Sequence, residues 1–231
     1  MSFGGLLNVN KPSGPTSFQI VKHVRKILQV KKVGHCGTLD PMASGVLLVL
    51  FGSATVYSEK FMSKEKVYRG EMRLGLKTDS GDITGNILET APVPDLDSKT
   101  VRSALKRFTG EITQVPPMYS AVKWKGRKLY EYARKGLEID RKPRKVTVFS
   151  FHLLGQAGHA FQFRLACSKG TYVRTLVEDV GEFLKVPATL SLLVREKSGP
   201  YSLDSSISWE ELCSMDRKTL LSKSVSLPQL Q

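Results

Sequence analysis

Six consecutive apolar residues, Val46 to Phe51, stand between Gly45 and Gly52. The run is far too short to span a bilayer, and an unbroken apolar stretch of this length reads as a buried strand. A buried strand commits the chain to a sheet covered by other elements. The neighbouring segments agree. Gly5 to Asn10 reads as a strand that ends in the turn-rich basic loop Lys11-Pro12-Ser13-Gly14-Pro15. Ser17 then reads as the cap of a helix with Ile20, Val21, Val24, Ile27 and Leu28 at helical spacing, and with Lys22, His23, Arg25 and Lys26 on its other face. Residues 31–45 form a loop before the buried run.

Further on, Val67 to Leu74 alternates, with Tyr68, Gly70, Met72 and Leu74 on one face of a strand. Residues 77–85 (KTDSGDITG) are a polar loop rich in turn formers. Asp97 or Ser98 starts a helix through Val101, Leu105 and Phe108, which Gly110 stops. Val146–Phe151 and Ala160–Cys167 are strands, Thr171 to Leu184 is a helix, and Ser208-Trp209-Glu210-Glu211 opens a last helix with a capping box. Strands and helices intermingle without strict βαβ alternation. The expected class is therefore α+β, a mixed sheet with flanking helices.

Charge narrows the partner. Thirty-five basic against 21 acidic residues leave a net +14. Such an excess favours a polyanion, because every phosphate neutralised releases counterions; solubility charge is the bland alternative. Residues 123–145 hold ten basic and three acidic side chains, half the excess in a tenth of the length, with Trp124, Tyr130 and Tyr132 among them. Cations that bind a backbone and aromatics that stack on exposed bases suit single-stranded or looped RNA. A solvated helical face, with Leu129, Tyr132 and Ala133 packed on the core, is compatible with the same residues. The one basic amphipathic helix, at 17–28, is better explained as facing the core than a membrane. No secretory signal is visible at the N-terminus, so cytoplasm is the expected compartment. Cys36, Cys167 and Cys213 are far apart and odd in number, and the histidines 23, 35, 152 and 159 have no zinc-like spacing with them.

The most unusual stretch is Val33-Gly34-His35-Cys36-Gly37-Thr38-Leu39-Asp40-Pro41-Met42-Ala43-Ser44-Gly45. It sets a histidine, a thiol, a hydroxyl and a carboxylate between glycines, just before the buried strand. Glycines allow close approach of a ligand, and a carboxylate on a loop anchored to a rigid strand is well placed for catalysis. Read from these residues alone, Asp40 before Pro41 reads first as a turn former, the commonest role of an Asp-Pro pair. A Cys36 nucleophile is disfavoured, since cysteine catalysis normally pairs residues distant in sequence. No Walker pattern is present to cradle a phosphate.

The block GHCGTLDPMASGVL, residues 34–47, is similar to the signature loop of the TruB family of tRNA pseudouridine synthases. Other blocks agree in order and spacing: Asn10 to Ser17, Lys66-Val67-Tyr68-Arg69 with Leu74-Gly75, Thr78 to Asp82, Pro117 to Ala121, Cys167 to Arg174, and Leu193 to Arg195. Together they span residues 5–201. The resemblance implies the pseudouridine synthase fold, with a central, largely antiparallel mixed sheet and an RNA-binding cleft across it. It also implies one catalytic domain over 1–231 with a basic RNA-binding insertion at about 123–145. TruB relatives usually continue into a C-terminal PUA domain; residues 202–231 are too few to supply one, so its absence is expected.

The same resemblance implies the chemistry: isomerisation of the T-loop uridine at tRNA position 55 to pseudouridine, with no cofactor and no metal, by a monomer. Asp40 matches the catalytic aspartate, which adds to C6 of the base or C1′ of the ribose. Tyr68 matches the tyrosine that stacks on the target base and is a candidate for proton abstraction. Arg174 matches the arginine that pairs with the catalytic carboxylate, and Leu193 lines the pocket. His35 reaches into the T-loop of the tRNA. Lys11, with Pro12, supports the site from behind, and Lys11, Asp82 and Tyr172 are carried over as substrate-side residues. In the insertion, Lys123, Lys125, Arg127, Lys128, Arg134 and Arg141 are expected to contact RNA. A non-catalytic RNA binder would explain the charge but leave Asp40 and Arg174 unexplained. A hydrolase would need a second carboxylate, for which Asp79 and Asp82 are the nearest candidates.

Overall fold

The structure is a computed structural model that describes residues 3–226. Along the chain run β1 (Gly4–Lys11), α1 (Ser17–Leu28), β2 (Val33–His35), β3 (Ser44–Gly52), α2 (Ser58–Met62), β4 (Lys66–Leu74), β5 (Leu76–Thr78), β6 (Ile87–Thr90), α3 (Ser98–Arg107) and β7 (Gly110–Gln114). There follow β8 (Lys123–Trp124), β9 (Arg127–Lys128), α4 (Leu129–Ala133), β10 (Arg144–Ala157), β11 (Ala160–Cys167) and α5 (Val173–Phe183). The last elements are β12 (Ala188–Ser198), β13 (Tyr201–Ser202), α6 (Trp209–Ser214), α7 (Arg217–Ser222) and β14 (Val225–Ser226). The class is α+β with a mixed, mostly antiparallel sheet. None of the described helices is long and apolar enough to cross a membrane. The chain forms two compact units, one up to Tyr68 and again from Val194, the other from Arg69 to Leu193.

In the first unit the strand order is β14–β1–β3–β12, with β2 also on β3. The β1–β3 pair is antiparallel over its whole length, from Gly4 opposite Gly52 to Lys11 opposite Gly45. The β3–β12 pair is parallel, Val194 opposite Ser44 and Arg195 opposite Gly45. All six residues of the apolar run are buried, as the pattern required. Full burial of such side chains stabilises by about 1.5–3 kcal/mol each, which makes β3 the spine of this unit. Helix α1 buries Ile20, Val21, Val24 and Leu28. Its cap differs from the expected one. Thr16 is the N-cap, in a capping box with Gln19, and Ser17 falls inside the first turn with its side chain buried.

In the second unit β4, β11, β10 and β7 lie side by side, with β10 antiparallel to both neighbours. Tyr68, Gly70, Met72 and Leu74 share the buried face of β4, as the alternation indicated. Strand β10 runs to Ala157, six residues past the expected end at Phe151. The reason is a change of parity. Val146 and Val148 point inward, but after the register shift at 148–150 it is Phe151 and Leu153 that are buried, and a second shift follows at 153–155. A bulge inserts one residue and so breaks period-two alternation. Ring contact between Phe151 and Phe163, centroids 5.2 Å apart at 84°, closes this core. The basic stretch is not a continuous helix: β8 and β9 form a hairpin whose turn places Lys125 and Gly126 at φ 46° and 83°, and one short helix, α4, follows.

Gly45 is the tightest point of the first unit. Its φ is +103°, and a Cβ there would fall on the backbone nitrogen, carbonyl carbon and oxygen of Arg195 across the parallel pair. Gly158, at the β10–β11 turn, has φ +57° and open space around it. Gly158→Ala should therefore cost only the left-handed strain, about 1–2 kcal/mol. Gly45→Ala should cost more than about 3 kcal/mol, since backbone must move as well. Thermal unfolding of the two variants against wild type measures the difference.

Candidate active site

Asp40 is held by its backbone. The chain stays on β3 as far as Cys36, whose N–H donates to the Leu48 carbonyl at 2.8 Å. It leaves at Gly37, φ +93°, a conformation open to glycine at little strain. The buried Arg195 then ties the two sides of the loop together, Nε donating to the Val46 carbonyl at 2.7 Å and Nη2 to the Gly37 carbonyl at 3.1 Å. Ser17 Oγ accepts from the Leu39 N–H at 2.9 Å and donates to the Leu39 carbonyl at 3.0 Å. Beyond Asp40 the Gly14 N–H and Lys11 Nζ both donate to the Pro41 carbonyl, at 2.8 and 3.2 Å, and Ser13 Oγ donates to the Met42 carbonyl at 3.0 Å. The Ala43 N–H closes a turn on the Asp40 carbonyl at 3.1 Å. Asp40 is thus a turn former, as its Asp-Pro pair suggested, and the turn is clamped from both sides. The residue itself is only partly buried.

The clamp is electrostatic as well as geometric. Lys11 is fully buried, and its Nζ also donates to the Pro12 carbonyl at 2.8 Å. Loss of hydration lowers the Lys11 pKa to about 8; the nearby Asp40 carboxylate opposes that shift and the Arg195 charge adds to it. Burial pushes the Cys36 thiol up to about 11, although the Lys66 and Arg195 charges pull the other way. A thiol so protonated is a poor nucleophile. His35 is half-buried on β2, and Tyr68 is buried at 8% exposure.

The second unit holds the other residues singled out. Arg174, 4% exposed in the first turn of α5, donates Nη1 to the Ser80 carbonyl at 2.6 Å and Nη2 to the Tyr119 carbonyl at 2.8 Å. Its Nε lies 3.9 Å from Asp82 Oδ2. It therefore cross-links the 77–85 loop to the Pro117–Ala121 block. Asp82 is 5% exposed, with its other oxygen accepting from the Thr84 N–H, the Thr84 hydroxyl and the Ser80 hydroxyl. Tyr172, the cap residue of α5, is gripped through its backbone by the Gln114 amide. Leu193 is buried at 6%.

In the basic segment Lys123, Lys125, Arg127 and Arg134 are exposed, and Lys128 is half-buried. Lys125 Nζ stands 4.5 Å from the Trp124 ring centroid, and Arg134 lies 5.3 Å from that of Tyr130. Arg141 is different: it pairs with Glu138 at 2.8 Å and donates to the Pro116 carbonyl at 3.4 Å. Two residues that hold the Asp40 loop, Ser17 and Arg195, had no role at the site in the sequence reading, where Ser17 was a helix cap. A lone arginine in the apolar context Leu192-Leu193-Val194 was the available signal for the second.

The low Lys11 pKa has a measurable sign. With a folded pKa of about 8 against an ordinary 10.5, the unfolded chain holds more protons between those values, so stability rises with pH across that window. The stability of wild type relative to Lys11→Met, which does not titrate, should rise from pH 8 to 10.5 by on the order of 3 kcal/mol. Denaturant unfolding at several pH values checks it.

Residues 25–173 match the TruB family pseudouridylate synthase N-terminal domain. A tRNA pseudouridine synthase B of Endomicrobium trichonymphae is 46% identical over 92% of this chain and 93% of its own length. The protein of the same name from Caldanaerobacter subterraneus is 48% identical over 92% of this chain and 75% of its own. Among solved structures, a chain from the crystal structure of a Cbf5–Nop10–Gar1 complex superposes with a TM-score of 0.76 at 29% identity. That match covers 98% of this chain, which spans 61% of the solved one. With a family match over more than half its length and relatives of such identity along nearly all of it, the chain belongs to the TruB family of pseudouridylate synthases.

Proposed function

We propose that this protein isomerises the T-loop uridine at position 55 of tRNA to pseudouridine, with Asp40 as its catalytic carboxylate. The observation that carries the reading is the clamped turn at Asp40. Lys11, Ser13, Gly14 and Ser17 fix its backbone and leave the residue only partly buried. A nucleophile held in one geometry before substrate arrives needs little reorganisation to react. Relatives named tRNA pseudouridine synthase B, 46–48% identical over nine-tenths of the chain, support the substrate class.

The reaction breaks the N1–C1′ glycosidic bond, turns the base, forms a C5–C1′ bond, and moves the C5 proton off carbon while N1 gains one. Nothing is oxidised or reduced. In this reading Asp40 forms the covalent adduct, and Arg174 is the arginine partner of the catalytic carboxylate. The uridine leaves its stack to react, Tyr68 receives it face-on, Leu193 lines its pocket, and His35 fills the space it vacates. The whole chain acts as one catalytic domain in which the exposed cations of 123–145 hold the RNA backbone and Trp124 offers a stacking face.

Release of tritium from a tRNA transcript carrying uridine labelled at C5 tests the chemistry. Wild type should release it; a pure binder would release none, and a hydrolase would free uracil. Asp40→Asn should lower the rate by at least about a thousandfold while tRNA binding is retained. Turnover by that variant near the wild-type rate would sink the assignment. Binding should also weaken steeply from low to moderate salt, by a factor of about a thousand or more if six or more phosphates are contacted.

A further inference from the structure

The net charge of +14 is not spread along the chain. Residues 123–145 account for seven of the fourteen charges. Residues 1–39 contain six basic side chains, Lys11, Lys22, Arg25, Lys26, Lys31 and Lys32, and no acidic one. Thirteen of the fourteen excess charges therefore lie in two short stretches, and the rest of the chain is close to neutral. Only Lys11 among the six is used up in the Asp40 clamp.

The others make a surface on the first unit. Lys22 and Lys26 are exposed on α1, and Lys31 and Lys32 are exposed between α1 and β2. Phe18, Lys22 and Lys26 recur at four-residue intervals and so share one face. Phe18 is 53% exposed, with Lys22 Nζ 5.2 Å from its ring centroid. Among the described residues none of these four lysines makes an ion pair. A helix charged for its own stability carries acidic residues in its first turn and Glu–Lys pairs four apart. Helix α1 has neither. Its apolar face is also committed, since Ile20, Val21, Val24 and Leu28 are all buried, so it has no face left to lay into a lipid surface.

We propose that the outer face of α1, continued by Lys31 and Lys32, is a second RNA-binding surface that takes the phosphate backbone of the substrate outside its target loop. It rests on the reading of tRNA as substrate. The surface is registered to Asp40 at both ends. Ser17 in the first turn is bonded to Leu39, and Arg25 donates from the last turn to the Val33 carbonyl on β2, which pairs with β3. RNA held along α1 is held at a fixed offset from the catalytic loop. The exposed Phe18 ring adds a stacking face beside the phosphate contacts.

The test compares the full-length protein with a variant carrying Lys22→Gln, Lys26→Gln, Lys31→Gln and Lys32→Gln, all exposed positions. A charge-matched control carries Lys99→Gln, Arg102→Gln, Lys106→Gln and Arg107→Gln on α3. Binding of an unmodified full-length tRNA transcript is measured by filter retention across a salt series. The α1 variant should weaken binding at least about tenfold at moderate salt and lower the slope of log Kd against log salt by about three. The α3 control should keep the wild-type slope. Equal slopes for wild type and the α1 variant, or equal losses in both variants, would overturn the proposal. So would loss of binding to phosphatidylserine vesicles with RNA binding intact, which would assign the surface to a membrane instead. Tritium release by wild type is followed alongside: its absence would remove the isomerase reading, while the salt slopes would still decide the surface.

Discussion

A buried ammonium group holds the Asp40 loop in place. Lys11 reaches from the end of β1 to the Pro12 and Pro41 carbonyls, and beside it Arg195 reaches from β12 to Val46 and Gly37. Two cations without solvent are expensive to keep, and they are tolerated because backbone carbonyls accept from both and the Asp40 carboxylate lies near Lys11. The loop cannot relax outward without stranding those charges. The rigidity of the Asp40 loop thus comes from one pair of buried side chains.

Much of the fold could be read before any coordinates. Val46–Phe51, the alternation in β4 and the strand at 160–167 were legible because each signal is local and unbroken. The far half of β10 was not, since bulges shift its inward parity and cancel the pattern that marks a strand. The start of α1 was misread by one residue for a subtler reason. Thr16 and Ser17 both cap well, and only Gln19, three after Thr16, distinguishes them.

The site was legible in a different way. Asp40 stood out chemically but stayed ambiguous from its own loop, and the roles of Tyr68, Arg174 and Leu193 came from family resemblance rather than spacing. What no local pattern contained was the set of clamps. Ser17 and Leu39 are 22 residues apart, and Arg195 and Val46 are 149 apart. Such contacts depend on the sheet register, which is a property of the folded chain. Arg174 illustrates the same point: its ties to Ser80 and Tyr119 join three blocks that the sequence scatters over 94 residues.

The one-residue shift at the head of α1 has its own consequence. Thr16 keeps the helix and Ser17 keeps the loop, so neighbouring hydroxyls divide two tasks between them. Helix ends fray more readily than any other part of a helix. When this end frays, Ser17 moves and the Leu39 backbone loses both hydrogen bonds it makes to that one hydroxyl. The Asp40 loop is therefore coupled to the head of α1: fraying there loosens it from one side, while Lys11 and Arg195 still hold it from the others.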